Sequence, residues 1–513
     1  MKFKGPAKKK AVLLFVFAIL SLGLIVQTPA RNSDAIIADP FSDNRILAVN
    51  NLINRLSTPH FLTPTQKATE IDNFLAEQAA YGFPIAHDNE ICFVYRGAAQ
   101  AVFIEGDFLY WKQSLPLKQA PDTDFFYLLA SLESDARIEY IFQVNETNPT
   151  YIRDPLNLFS IPNGNSLYYY GINASEFFMP DYVDDGSWRF NMTLGTLLPI
   201  PEFVCTTQSN FTRTVHIYLP PGYDPNGTKR YRTVYVADGS TYVFWCRAVN
   251  VLDYLSYNGI MDLIAVFVDP IVINGIEYRT ADYMGPDCSQ DHFTFVSPST
   301  GELVTSPGHI GICRQKYVEF ITTELVPYID GNYLTVNQPE ARAHIGFSLG
   351  GYISTYVAFT HPNVFKLVGA HSGSFWVDQF MLDCFKIGPR VEGLRFYINA
   401  GTFEHVILNC SKDFAEILEY WQYPGKFRVF HQGHSYGKVR STLSEMLTFL
   451  FTDEESNYSG SPALSIDQES HSTGITNTSK TSDTQKTSYP TIIELFAISL
   501  LIFVLASIKP KQQ

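Results

Sequence analysis

The residues with the clearest chemical potential in this sequence lie at positions 343–351, which read AHIGFSLGG. The apolar run predicts a buried strand that ends at a glycine. Ser348 follows it, and Ile353, Tyr356 and Val357 then share one face of a predicted helix. This G-x-S-x-G pattern predicts a nucleophile elbow, because glycine neighbours leave the serine hydroxyl clear of the sheet. A glycine-rich turn is the alternative, and the flanking strand and helix favour the nucleophile.

A serine hydroxyl is a weak nucleophile near neutral pH, so the elbow predicts a histidine base later in the chain. The predicted strand 427–431 is followed by a glycine and then by His434, which we assign as the base. His431 is the rival, but it lies within that strand. We therefore predict a structural role for His431, as for His361 and His371.

The same logic predicts a carboxylate that orients the histidine, placed just past the end of another late strand. Glu404 has this position after the predicted strand 394–400. A lone glutamate is often only a solvated surface charge. Asp378 and Asp413, in loop or helical sequence, are therefore kept as reserve candidates for the acid.

An oxyanion hole requires two backbone donors, one of which is the amide of the residue after the nucleophile. That residue is Leu349. The second donor comes from the loop after an earlier strand, here residues 238–242, and we assign it to the amide of Ser240. The alternative is that Asp238 and Gly239 form only a tight turn.

The remaining pattern predicts two folded domains. Continuous apolar strands alternate with helical stretches over residues 213–452, which is typical of a doubly wound α/β domain with both sheet faces covered. Short alternating strands over residues 85–183 predict a small Ig-like β-sandwich. Residues 31–84 are predicted to be helical, with Thr63 as a cap, and residues 184–212 to be a linker.

Both ends of the sequence predict export and membrane attachment. Residues 1–30 combine a basic start, an apolar run and small residues, as in a signal peptide, with an uncleaved anchor as the alternative. Residues 491–508 predict a transmembrane helix and residues 509–513 a cytoplasmic tail. Residues 453–490, rich in serine and threonine, predict a disordered stalk. Together with eight N-x-S/T sequons, these segments predict a single-pass cell-surface glycoprotein with an extracytoplasmic catalytic domain.

The net charge restricts the classes of binding partner, and the cysteines indicate which disulfides and metal sites to expect. The net charge of −14, without a basic cluster between the terminal segments, argues against nucleic acid. In an oxidising compartment some of the seven cysteines should pair; Cys288 with Cys313 is the preferred pair and Cys384 with Cys410 the next. No cysteine spacing matches a zinc site, so we predict neither a metal nor a cofactor.

Several motifs together resemble the esterase family of α/β-hydrolases that includes enterochelin, feruloyl and acetylxylan esterases. They are LPPGY at 219–223, VADG at 236–239, VFVDP at 266–270, EYR at 277–279, ELVPYI at 324–329, GFSLGG at 346–351, SGSFW at 372–376 and GH at 433–434. GDF at 106–108 with Trp111, and DPLN at 154–157, resemble the early-set domain that precedes such hydrolases. The likeness covers about residues 85–452, and residues 285–313 depart from it as an insertion.

The resemblance implies that Ser348, Glu404 and His434 act as a catalytic triad on a small-molecule or glycan ester. It makes Trp376 a candidate for the wall of the substrate pocket, and we add Tyr242 as a second lining residue. Two other functions stay open. One is a non-catalytic surface receptor or glycan-binding protein on a hydrolase scaffold, and the other is acyl transfer by the same residues.

Overall fold

The computed structural model describes residues 45–158, 160–161, 173–297 and 301–452. The predicted signal peptide, stalk, transmembrane helix and cytoplasmic tail lie outside these residues. Within the described part of the chain, no helix combines the length and the apolar character needed to cross a membrane.

Two helices precede the first strand: α1 (Arg45–Ser57) and α2 (Pro64–Gln78). Thr63 caps α2 as predicted, because its hydroxyl accepts a hydrogen bond from the Gln66 amide. In return the Gln66 side chain accepts one from the Thr63 amide at 2.9 Å. This reciprocal capping box satisfies two amides that a helix start would otherwise leave unpaired.

Ten strands then form two packed sheets. They are β1 (Ile85–His87), β2 (Glu90–Arg96), β3 (Val102–Gly106), β4 (Leu115–Pro116), β5 (Lys118–Gln119), β6 (Phe125–Ser131), β7 (Arg137–Val144), β8 (Thr150–Ile152), β9 (Ser160–Ile161) and β10 (Ala174–Phe178). One sheet has the order β1-β2-β6-β5. The other has the order β4-β3-β7-β10-β9, with β8 paired to β7. Phe93 and Phe126 of the first sheet pack with Ile104, Tyr140 and Phe142 of the second. We call this unit the sandwich.

The rest of the described chain contains a single eight-stranded sheet and two small hairpins. The strands are β11 (Thr196–Cys205), β12 (Phe211–Leu219), β13 (Arg232–Ala237), β14 (Leu263–Val268), β15 (Val272–Ile273), β16 (Ile276–Glu277), β17 (His292–Val296), β18 (Leu303–Pro307), β19 (Arg342–Phe347), β20 (Leu367–His371), β21 (Arg395–Gly401) and β22 (Gly425–Phe430). The large sheet has the order β11-β12-β14-β13-β19-β20-β21-β22, and it is parallel from β14 onward.

Helices cover both faces of this sheet, which explains the continuous apolar strands. They are α3 (Gly239–Phe244), α4 (Ala248–Tyr257), α5 (Arg279–Met284), α6 (Arg314–Glu319), α7 (Val326–Asn332), α8 (Leu349–Thr360), α9 (Gln379–Ile387), α10 (His405–Tyr420) and α11 (Tyr436–Phe451). Two separate apolar clusters form, one on each face. The predicted α/β class is therefore confirmed.

The predicted linker at residues 184–212 is wrong over its second half. Thr196–Cys205 is β11, which pairs antiparallel with β12 and forms one edge of the large sheet. Its two prolines, Pro199 and Pro201, argue against a strand in the sequence pattern. They are tolerated here because an edge strand leaves part of its backbone unpaired.

The insertion at 285–313 contains the β17–β18 hairpin, and its ends are joined by the predicted disulfide between Cys288 and Cys313. The second predicted pair is wrong, because Cys384 and Cys410 are both free thiols. The bridge therefore closes the insertion into a covalent loop at its base.

Replacing both Cys288 and Cys313 by serine should destabilise the protein. The bridge closes a segment with a sequence separation of 25, and its loss should cost about 3 kcal/mol in the chain-entropy account. Thermal unfolding checks this, with the free thiol variant Cys384→Ser as the matched control. An unchanged Tm in the double variant, with the bridge verified in the parent by peptide mass, would contradict it.

Candidate active site

The serine of the elbow has a strained backbone. β19 ends at Phe347, α8 begins at Leu349, and Ser348 between them has φ 59° and ψ −119°. A side chain at Gly346 would place its Cβ 2.4 Å from the main chain of Gly350. This close approach of strand and helix explains the first glycine of the pattern. At the second, Gly350, a Cβ would lie 3.0 Å from the Asp238 carboxylate.

His434 lies at the same rim of the sheet. It follows β22 and precedes α11, and its ring packs against Phe347, with 4.4 Å between ring centroids. Phe347 is the residue immediately before Ser348, so the predicted nucleophile and base occupy neighbouring positions. The Ser348 hydroxyl itself lies 3.3 Å from the hydroxyl of Ser374, which sequence reasoning did not assign.

Glu404 contacts His434 directly. One carboxylate oxygen, Oε1, is 2.5 Å from Nδ1 of the imidazole. The other, Oε2, accepts hydrogen bonds from the Ser372 hydroxyl at 3.1 Å, from the Gly401 amide and from the Lys438 ammonium. The Glu404 side chain is fully buried, whereas the His434 side chain is 30% exposed. The buried carboxylate therefore holds Nδ1 of the imidazole, while part of the ring is exposed to solvent.

Lys438 supplies the positive charge that keeps the buried Glu404 carboxylate ionised. Burial alone would raise the pKa of Glu404, but the Lys438 ammonium and the hydrogen bond from His434 outweigh burial and lower that pKa to about 2. Burial in turn lowers the pKa of Lys438. Because the folded-state pKa of Glu404 lies below the ~4.3 of an unfolded glutamate, its ionisation stabilises the fold above that pH. The contribution is lost as the pH falls toward 2.

The two predicted oxyanion donors differ in their surroundings. The Leu349 amide is the first of α8, where helix geometry provides no carbonyl partner. The Ser240 amide instead donates to Asp269 Oδ1 at 2.6 Å, and the Ser240 hydroxyl donates to Oδ2 at 2.5 Å. The assignment of Ser240 as an oxyanion donor is therefore wrong, because its N–H is already bound to a carboxylate.

The two residues predicted to line the substrate pocket, Trp376 and Tyr242, lie in different surroundings. Trp376 is partly buried and lies two residues after Ser374, and its ring faces Phe295 of β17 with centroids 5.9 Å apart. Tyr242 is fully buried, and its hydroxyl is 3.0 Å from Nδ1 of His371. The assignment of Tyr242 to the pocket is wrong, because its side chain packs in the core beneath α3.

The reserve candidates for the acid, Asp378 and Asp413, and the rival base His431 lie in other surroundings. Asp378 caps α9 through the Met381 amide and forms an ion pair with Arg314 at 2.5 Å. Asp413 is exposed on α10. His431 contacts Asp135 of the sandwich, with 2.5 Å from Nδ1 to Oδ1. Among the candidates, the structure brings Glu404 alone against His434.

Arg279 supports the elbow from the other side, and the sequence named it only as part of a motif. Its guanidinium makes two hydrogen bonds of 2.7 Å to the Asp238 carboxylate and one of 3.2 Å to the Phe347 carbonyl. Asp238 has a φ of 59°. This pair fixes the backbone just before Ser348 to the loop after β13.

Fold and site together define a class. A mainly parallel sheet between helical layers, an elbow serine and a histidine–carboxylate pair at the same rim are the features of an α/β-hydrolase. Residues 206–450 match the family described as "Putative esterase". This match supports an esterase family of the α/β-hydrolase type for that segment, and the resemblance stated from the motifs is confirmed.

Two curated relatives come from Bacillus subtilis strain 168. The uncharacterized protein YbbA is 30% identical over 172 residues, which cover 33% of this chain and 59% of YbbA. The uncharacterized protein YjcH is 27% identical over 195 residues, which cover 38% of this chain and 69% of YjcH. The chain thus spans less than two thirds of the length of YbbA.

Solved structures show the same fold. The ferric enterobactin esterase of Salmonella typhimurium is 17% identical with a TM-score of 0.57, over 70% of this chain and 93% of that one. The enterobactin esterase of Shigella flexneri, solved in the presence of enterobactin, is 19% identical with a TM-score of 0.54, over 70% and 92%. The shared fold covers more of this chain than residues 206–450 comprise.

Replacing Lys438 by methionine should move the acidic limb of the pH–activity profile to higher pH. Without the ammonium, burial dominates and the pKa of Glu404 rises, so the carboxylate is lost at a pH where the parent keeps it. The measurement is kcat/KM for a p-nitrophenyl ester from pH 4 to 9. Lys229→Met, which breaks the exposed ion pair with Asp262, is the control, and identical limbs in both variants would contradict the role of Lys438.

Proposed function

We propose that this protein is a serine carboxylesterase on the outer face of a cell membrane. It cleaves carboxylic esters through an acyl-enzyme formed on Ser348. The observation that carries the proposal is the buried Glu404 carboxylate on Nδ1 of His434, with that imidazole packed beside the elbow. The esterase family of residues 206–450 supports the same reaction.

Each step uses a group of this chain. Ser348 Oγ attacks the ester carbonyl while Nε2 of His434 takes its proton, and Glu404 holds Nδ1 so that Nε2 is the basic nitrogen. The Leu349 amide stabilises the oxyanion. The tetrahedral intermediate collapses when the C–O bond to the alcohol breaks and His434 returns the proton to that oxygen. Water then attacks the acyl-enzyme by the same route and releases the acid.

The extracytoplasmic location is part of the proposal. The Cys288–Cys313 bridge supports it, because structural disulfides form and persist in oxidising compartments. The composition of residues 1–30 and 491–508 supports a signal peptide and a membrane anchor. We also propose that the sandwich is an Ig-like early-set domain, as the motifs at 106–111 and 154–157 imply.

The substrate should present a flat apolar group to the site. Trp376 reaches the neighbourhood of Ser348 through Ser374, and Phe295 of the inserted hairpin extends the same aromatic surface. Aromatic rings gain from offset or tilted contact with one another beyond simple area burial. The proposed substrate is therefore a small-molecule or glycan ester with an aryl or similarly planar group.

Replacing Ser348 by alanine should abolish turnover of a p-nitrophenyl acyl ester and labelling by a fluorophosphonate probe. The loss should be on the order of a thousandfold or more, since the nucleophile is removed and only background catalysis remains. Ser256→Ala, on α4, is the control serine and should keep both signals. Undiminished turnover in Ser348→Ala would overturn the proposed function.

Replacing Trp376 by alanine should weaken recognition of the planar group. KM should rise roughly tenfold for a feruloyl or naphthoyl ester, the scale of a lost aromatic contact of about 1.4 kcal/mol, and change little for the matching acetyl ester. The ratio of the two KM values is the measurement. Tyr420→Ala, an exposed aromatic on α10, is the control. An equal rise for both esters would contradict an aryl wall.

A further inference from the structure

The sandwich contacts both loops that carry the proposed acid and base. On the base side, the Arg137 backbone amide donates to the His431 carbonyl at 3.0 Å. Its guanidinium donates through Nη1 to the Ser435 hydroxyl at 3.0 Å. These two hydrogen bonds bracket His434, and they come from a single residue of β7.

Side chains of the sandwich pack closely against the backbone on both sides of His434. A Cβ at Gly437 would lie 1.6 Å from Nη2 of Arg137, and a Cβ at Gly433 would lie 2.0 Å from the Asp107 carboxylate. Both glycines therefore admit sandwich side chains into the hydrolase. Because Gly433 precedes His434 directly, the backbone of the base is in contact with the sandwich on both sides.

The acid is flanked in the same way. Phe403, immediately before Glu404, packs against the apolar core of the sandwich. His405, immediately after it, stacks on Tyr110, with 4.0 Å between centroids and 20° between ring planes. These two contacts with the sandwich, one on each side of Glu404, thus fix the loop between β21 and α10.

Arg137 itself is held rigidly. It is fully buried, and it donates to Glu176 at 2.5 Å through Nε and to Glu139 at 2.6 Å through Nη2. Glu176 also accepts two hydrogen bonds, at 2.5 and 2.6 Å, from Arg440 of α11. Arg440 lies on the helix that follows His434. The ion network therefore connects β7 and β10 of the sandwich to that helix.

We propose that the sandwich is a working part of the catalytic site, with Arg137 as the residue that positions the His434 loop relative to Glu404. The inference rests on the proposed function, because it concerns the geometry of the same acid–base pair. A displacement of about 1 Å within such a pair can cost on the order of a hundredfold in rate. The loop of the base and the loop of the acid follow different strands, and the sandwich touches both.

The first test is Arg137→Lys. Lysine keeps the positive charge beside Glu139 and Glu176, but a single ammonium does not reproduce the fixed fork of a guanidinium that also reaches Ser435. The matched control is Arg342→Lys. Arg342 is a buried arginine paired with Asp330 at 2.7 Å, and as the first residue of β19 it lies roughly 20 Å along the strand from Ser348.

Both variants are assayed well below their own Tm, with a p-nitrophenyl ester and with a fluorophosphonate probe. Arg137→Lys should lower kcat and the labelling rate on the order of tenfold to a hundredfold, with KM little changed. Arg342→Lys should lower Tm but keep kcat within about twofold. Equal kcat values in the two variants would overturn the proposal, because a merely structural role of Arg137 predicts equality.

A second pair of variants keeps the test decisive if Arg137→Lys does not fold. Gly437→Ala adds a better helix former to α11, yet its Cβ must displace the guanidinium of Arg137. Gly331→Ala makes the same change in α7, where the new Cβ has no neighbour within 4 Å beyond the adjoining backbone of its own helix. A slower labelling rate in Gly437→Ala alone supports the proposal, and equal rates overturn it.

The tests distinguish a failure of this inference from a failure of the proposed function. Full turnover in Ser348→Ala would remove the esterase assignment itself. Loss of turnover in Ser348→Ala, together with parental kcat in Arg137→Lys and Gly437→Ala, would leave the esterase assignment intact. That result would reduce the sandwich to an accessory domain.

Discussion

The interaction on which the rest of this site depends is the burial of the Glu404 carboxylate. An isolated charge in the protein interior would be neutralised, because desolvation penalises the ionised form. Lys438 supplies the opposite charge, and Ser372 and the Gly401 amide supply neutral donors. The carboxylate can therefore stay ionised out of reach of water, which is the state in which it can hold an imidazole by Nδ1.

The same solution recurs around the elbow. Arg279 and Asp238 form a partly buried pair, and the Arg279 guanidinium also donates to the carbonyl of Phe347. Here the ion pair holds backbone rather than a catalytic group. Pairs of this kind contribute little net stability, because desolvation offsets the attraction, but removing one partner is costly. The Arg279–Asp238 pair fixes the backbone before Ser348, and the Lys438–Glu404 pair fixes the carboxylate beside His434.

How far the sequence predicts this site depends on whether a feature is local. The elbow, Glu404 just past the end of β21 and the glycine before His434 are each encoded within a few residues, and the local pattern is enough to name all three. Lys438 has no such signal. It lies four residues after His434, in the first turn of α11, and its significance depends on a carboxylate that follows a different strand. Only the packed fold brings the two together.

The errors have the same physical origin. The Ser240 amide lies in the predicted loop, but its hydrogen bond goes to Asp269 at the end of β14, a partner that sequence spacing cannot reveal. Tyr242 is amphipathic, and the pattern does not say that its hydroxyl is satisfied by His371 in the core. The contacts of the sandwich are the extreme case. Arg137 of β7 and Gly437 of α11, 300 positions apart, are in contact, and the missing side chain of that glycine is the only local trace of the contact. A missing side chain can be read from a sequence, but what occupies the space it leaves cannot. The features of this site that join distant segments are thus the ones that only the structure reveals.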